Sequence, residues 1–209
     1  SQALVNNTAS NNTAIGYKSA KNVTTSTSNT ALGYNSLGGN VSTALTGNDN
    51  IALGANAGRD IQGSAEGNIL IGKDSGIALT TGNFNVLIGR DAGDSLVDET
   101  HNTAIGTDAL GGSSLVDQTV IIGSQAGAGA MTADADGTVC VGYGAGSAIT
   151  SGAGNLVAGF QAGNILTTGG TNTIIGYDAD VDANSRAGCI VIGSGLSLNT
   201  ASDNVVEIG

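Results

Sequence analysis

One arrangement of polar and apolar positions returns along the whole chain: a polar residue, three apolar or β-branched residues, then Gly. It reads Asn12-Thr13-Ala14-Ile15-Gly16, then Asn29-Thr30-Ala31-Leu32-Gly33, and later Asn85-Val86-Leu87-Ile88-Gly89. Aligned on the closing glycine, twelve units end at Gly16, Gly33, Gly54, Gly72, Gly89, Gly106, Gly123, Gly142, Gly159, Gly176, Gly193 and Gly209. The spacings are 17, 21, 18, 17, 17, 17, 19, 17, 17, 17 and 16 residues. Seventeen residues is too short for a helical-pair repeat, which takes about 33 or more. It suits one coil of a parallel β-solenoid, with two short strands and two turns. β-Branched and aliphatic residues before each Gly fit a pleated strand. The Gly permits a turn or a close backbone approach.

Insertions over 41–47 and 131–136 fall between phrases, as expected of loops on a stack. Three residues after each phrase glycine stands Ser or Ala, from Ser19 to Ala179, except at Leu196. That slot predicts a crowded corner. The phrase-opening slot holds Asn12, Asn29, Asn50, Asn68, Asn85, Asn102, Asn155 and Asn172, with Thr119 and Thr138 in two gaps. Stacked Asn amides can hydrogen-bond along a rod.

Alternation sends the first and third strand residues to one face and the middle residue to the other. The middle position is apolar in eleven units of twelve, Glu207 being the exception. Both faces therefore ask for cover. The expectation is that Thr13 and Ile15 pack one face, while Ala14 packs the other against two sister chains around a symmetry axis.

Composition narrows the function. The net charge is −11, with only six Lys and Arg that do not cluster, which argues against nucleic acid. No apolar run approaches the roughly 18–20 residues of a membrane span, and Ser1-Gln2-Ala3 is not the basic start of a signal peptide. Aromatics make up 3 % of the chain, so the core must be built from Ile, Leu, Val and Ala.

Candidate chemistry is sparse. His101, near Asp98 and Glu99, reads as a turn residue, and no acid–base or nucleophile cluster accompanies it. No enzyme activity and no cofactor are expected. Asp74, Asp91 and Asp108 share one slot in consecutive coils and are weak Ca²⁺ candidates, with Lys73 and Arg90 beside them as counter-charges. Threonines form no continuous row of the kind that binds ice. Cys140 and Cys189 lie three coils apart, roughly 14 Å, beyond disulfide reach. The residue after the phrase glycine is variable and holds Tyr17, Tyr34, Tyr143, Phe160 and Tyr177. Exposed aromatics in a row are receptor-contact candidates. They can equally form a ladder that stabilises neighbouring coils.

The phrases NTAIG, NTALG, NIALG and NVLIG, each followed by x-x-Ala/Ser, resemble the head repeats of trimeric autotransporter adhesins. The 17-residue variant is more similar to repeats of phage and other viral tail fibres. The resemblance runs from Asn12 to Gly209. It implies an all-β, left-handed β-roll of about twelve coils, assembled as a homotrimer, with 1–11 as lead-in and 12–209 as one repeat domain. The implied function is a non-enzymatic fibre module of a virion, for host attachment or rigid spacing. Its partners are its own copies and a host glycan or protein, without membrane insertion. Two alternatives stay open: the head of a bacterial surface adhesin, and a purely structural filament. Adhesin heads usually have shorter coils. The neck, stalk and anchor of adhesins and the self-cleaving chaperone of tail fibres are not in this chain, which reads as a middle piece.

Overall fold

The structure is a computed structural model that describes residues 2–5, 7–39, 43–198 and 202–209. Twelve strands of three residues each form one sheet in strict chain order. They are β1 (Thr13–Ile15), β2 (Thr30–Leu32), β3 (Ile51–Leu53), β4 (Ile69–Ile71), β5 (Val86–Ile88), β6 (Thr103–Ile105), β7 (Val120–Ile122), β8 (Val139–Val141), β9 (Leu156–Ala158), β10 (Thr173–Ile175), β11 (Ile190–Ile192) and β12 (Val206–Ile208). All pairings are parallel and keep the phrases in register, so that Leu70 faces Leu87 and Leu87 faces Ala104. The chain is thus a parallel β-solenoid of about eleven turns. The lead-in lies on its first coil, with Leu4 N donating to Ser19 O and Thr8 N to Thr24 O. The insertion over 41–47 falls partly outside the described residues; the one over 131–136 holds a single 3₁₀ turn, Ala133–Ala135.

Among the described residues the second strand expected in each coil does not form, and isolated bridges stand there, Val23↔Leu45, Leu45↔Gly63 and Asp180↔Ser197. Most coils place four residues at positive φ, one before the strand and three from the phrase glycine onward, which bound the strand while coil-to-coil hydrogen bonds continue. The fifth coil shows all four, at Phe84 (57°), Gly89 (144°), Asp91 (57°) and Gly93 (55°).

The phrase glycines are required by close approach. A Cβ on Gly89 would sit 2.2 Å from the carbonyl oxygen of Gly106 on the next coil, and Gly89 has φ +144°. The Ser/Ala corner is as crowded as its composition suggests: Ser75, Ala92 and Ala109 are fully buried.

The assignment of faces is the reverse of the expectation. Ala31, Leu70, Leu87, Ile121 and Val157, all middle residues, are fully buried inside the solenoid. The first and third residues of each strand face outward, as at Ile15 (61 % exposed) and Ile122 (36 %). Strict alternation defines two faces but does not say which is inside. The decision comes from the turn side of each coil, whose Ile61, Leu79, Leu96 and Leu166 close over the middle column.

Candidate functional site

Among the columns of side chains that run along the rod are an inner polar ladder, the outer sheet face and the two flanks of that face. Asn85 Nδ2 donates to Asn68 Oδ1 (3.1 Å) and to Glu99 O (2.8 Å), while Asn85 Oδ1 accepts from Asn102 N (3.0 Å). The same pattern links Asn29, Asn50 and Asn68. Thr119 joins through its hydroxyl to Asn102 Oδ1 at 2.8 Å. These amides are fully buried and satisfied, as buried polar groups must be. This ladder is architecture.

The first outer column is the apolar sheet face itself. Every first and third strand residue is Thr, Ile, Val, Leu or Ala, and no charge interrupts it from β1 to β12. Its neighbours across each coil are the other two outer columns.

One flank follows the phrase glycine. Here Tyr143 and Phe160 stack with ring centroids 5.3 Å apart at 15°, and Phe160 and Tyr177 at 5.2 Å and 7°. Tyr17 and Tyr34 stack at 5.8 Å, and Lys18 Nζ lies 5.4 Å from the Tyr17 ring centre. The five aromatics are therefore brought together as two ladders, and all five are exposed. Phe160 is stacked on both faces, while Tyr17, Tyr34, Tyr143 and Tyr177 each stack one face on a neighbouring ring. Tyr143 also donates its hydroxyl to Gln125 Oε1 at 2.8 Å.

The other flank precedes the phrase Asn, and sequence reading did not single it out as a column. Its residues take positive φ in all twelve coils, from Asn11 (64°) through Phe84 (57°), His101 (60°) and Gln118 (59°) to Asn204 (59°). Phe84 is bulky and rarely tolerates this region. Its ring leans over Gly67, where a Cβ would lie 2.6 Å from Phe84 Cδ1, and meets the His101 ring at 5.3 Å. The signal was present in the sequence: this slot, two residues before each strand, is rich in Gly, Asn, Asp and Ser.

The acidic column has a backbone explanation. Asp74, Asp91 and Asp108 have φ of 59°, 57° and 54°, a region Asp and Asn tolerate better than most residues. Lys73 pairs with Asp74, and Arg90 Nε lies 3.4 Å from Asp91. Partial burial works to raise the Asp74 carboxyl, but hydrogen bonds from Lys73 and Asn56 outweigh it and hold Asp74 below the ordinary range. Among the described residues, no group of three or more His, Cys, Asp or Glu could hold a metal ion.

Glu99 is another residue that sequence reading left in a loop. It is buried (4 % exposed) in a slot that elsewhere holds Ala, Gly, Ser or Val, and Arg186 in one coil. Its carboxylate accepts from the backbone N–H of Val97 and Asp98 and, across the coil, from Leu115 N at 2.5 Å. It is a bolt between coils rather than a partner of His101. Cys140 and Cys189 are unpaired and buried, and burial pushes the Cys140 thiol up to about 12, which keeps it unreactive. Among the described residues no pocket is found and no helix is long and apolar enough to cross a membrane.

Compared with family models, curated proteins and solved structures, the chain matches none.

Proposed function

We propose that the chain is a non-enzymatic fibre module, of left-handed β-roll type, that assembles as a parallel homotrimer and serves a viral tail fibre in host attachment or rigid spacing. The observation that carries this reading is the unbroken apolar outer face of the sheet. Eleven coil steps of about 4.8 Å and a three-residue strand about 10 Å wide give about 500 Å² of apolar face, and about 1,000 Å² with the two flanks. Divided between the two neighbours of a trimer, that is about 500 Å² per partner, at the small end of specific interfaces and repeated three times around the rod. Unlike an isolated surface Leu, a stripe of this size marks an interaction site. A uniform stripe on a straight stack is matched best by the same stripe on identical chains.

The fibre assignment itself draws on the resemblance of the repeated phrases. The rarity of titratable groups near one another supports a mechanical or adhesive role over a catalytic one. Within this reading the exposed rings of Tyr17, Tyr34, Tyr143, Phe160 and Tyr177 are the candidates for receptor contact.

Sedimentation equilibrium of the purified chain should give three times the monomer mass. The double variant Ile88→Asp/Ile105→Asp should sediment as monomer while keeping its β circular dichroism. A wild-type chain that stays monomeric at micromolar concentration would overturn the proposal. Binding of the assembled rod on a glycan array separates attachment from spacing.

A further inference from the structure

The two columns that flank the apolar face set most of their rings opposite a small residue of the same coil. We infer that they meet each other across the chain–chain seam of a parallel, in-register threefold rod, and that the aromatic ladder is an inter-chain lock. The inference rests on the proposed trimer and adds its register and its contacts.

The geometry is simple. Rotation about an axis parallel to the rod keeps every residue at its own height. The two flanks of one coil are six residues apart, which in a solenoid rising about 4.8 Å per 17 residues is roughly 1.7 Å along the rod. With the apolar faces turned to the axis, the left flank of one chain therefore lies beside the right flank of its neighbour in the same coil.

The residues fit that meeting. Tyr143 would face Gly137, Phe160 would face Gly154, and Tyr177 would face Thr171: the three rings stand opposite small residues. Where the left flank is bulky, the right flank changes. His101 is opposed by Thr107 and Gln118 by Ser124. Phe84 is opposed by Arg90, a cation beside an aromatic ring, which is a favourable pair. Tyr34 faces Ser28. No coil carries a ring in both flanks. Coils three and eleven, with Asp49 and Ala55 and with Gly188 and Ser194, have no large member in either flank.

A slip of two coils that sets Tyr143 against His101 or Phe160 against Gln118 puts bulk on bulk, whereas a slip of one coil sets Tyr143 against Gly154 and Phe160 against Thr171 and keeps the fit. The register is therefore set by the threefold rotation, which holds every residue at its own height, and the small residues of the pre-strand column leave room for the rings. On this reading the rings belong to the seam, and the rod acts as spacer.

The test is cross-linking with a short bis-maleimide on the full chain, wild type serving as blank because Cys140 and Cys189 are buried. Gln118→Cys/Ser124→Cys places the thiols in one coil; Gln118→Cys/Ser194→Cys places them four coils apart, about 19 Å along the rod. Covalent trimers on a denaturing gel are expected for the first, at about tenfold or more the yield of the second, given the distance limits on thiol bridging. Thr171→Cys/Tyr177→Cys, with Thr171→Cys/Ser124→Cys as its offset, is the second pair should the first fold poorly. Trimers by sedimentation without same-coil cross-links would overturn the lock and leave the trimer standing. A monomeric chain would overturn both. Glycan binding abolished by Tyr143→Ser/Phe160→Ser/Tyr177→Ser in an intact trimer would assign the rings to a receptor and overturn the lock.

Discussion

Leu87 occupies the space that a side chain on Gly93 would need: a Cβ there would lie 2.9 Å from both Leu87 Cδ1 and Cδ2. The opposite arrangement stands one coil on, where Ala104 in the strand is matched by a buried Leu110 at the corner. Ala31 and Leu37 repeat it. Most coils therefore hold one large side chain between the strand middle and the corner four residues past the glycine; the coil of Ala52 and Gly58 holds none, and Leu37 and Leu70 of its neighbours fill the space there. Leu87→Ala should lower stability by about 2–5 kcal/mol. Gly93→Leu alone should destabilise by about 1–3 kcal/mol through overpacking. The double variant Leu87→Ala/Gly93→Leu, which copies the Ala104–Leu110 coil, should be more stable than the sum of the two losses predicts. Urea denaturation of the four proteins measures this coupling; strict additivity would refute the sharing.

The Asn ladder should be sensitive at every rung. Asn85→Ala removes the acceptor of Asn102 N and the donor to Asn68 Oδ1 and Glu99 O. Leaving buried partners unsatisfied costs about 1–3 kcal/mol. Asn85→Thr should cost less, since Thr119 already serves as a rung. Thermal melts of both variants would show the order.

Asp180 gives stability a pH dependence. Burial raises its carboxyl above the ordinary range, against hydrogen bonds from the backbone N–H of Val181 (2.8 Å) and Ile165 (2.9 Å). A carboxyl raised in the folded state binds its proton more tightly there than in the unfolded chain. Its contribution is therefore fully present below the unfolded value and is lost as pH rises through the folded one. Asp180→Asn should remove that component. The difference in unfolding free energy between wild type and variant, measured across the acid range, should shift in favour of the variant as pH rises; a flat difference would exclude Asp180 as the source.

Phe160 is stacked on both sides, by Tyr143 and by Tyr177. Phe160→Ala removes two ring contacts, each worth about 0.5–1.5 kcal/mol. Single replacement of Tyr177, which ends the ladder, removes one of them and should cost about half as much by denaturant titration.

Much of the fold was legible because the phrase repeats. The Gly column, the Ser/Ala corner, the Asn ladder and the twelve strands all follow from residue types at a fixed period, since each type answers one local steric or hydrogen-bonding demand. Glu99 was not legible. A carboxylate in a slot of mostly small residues looks like a surface loop until the backbone N–H groups of Val97, Asp98 and Leu115 converge on it. The column of Phe84, His101 and Gln118 was also missed, because its members share a backbone conformation rather than a chemistry. The same holds for Asp74, Asp91 and Asp108, where a positive φ accounts for the acidic column.

By itself the sequence determined the period, the parallel stacking and the residues of the strands, because coil-to-coil contacts are local copies of one another. The tertiary structure decided which face is inside. Alternation makes Leu87 and its neighbours Val86 and Ile88 equivalent candidates for burial. Only the closing of the turn side over the middle column, with Leu87 and Leu96 filling the space beside Gly93, breaks that symmetry and turns the β-branched pair outward.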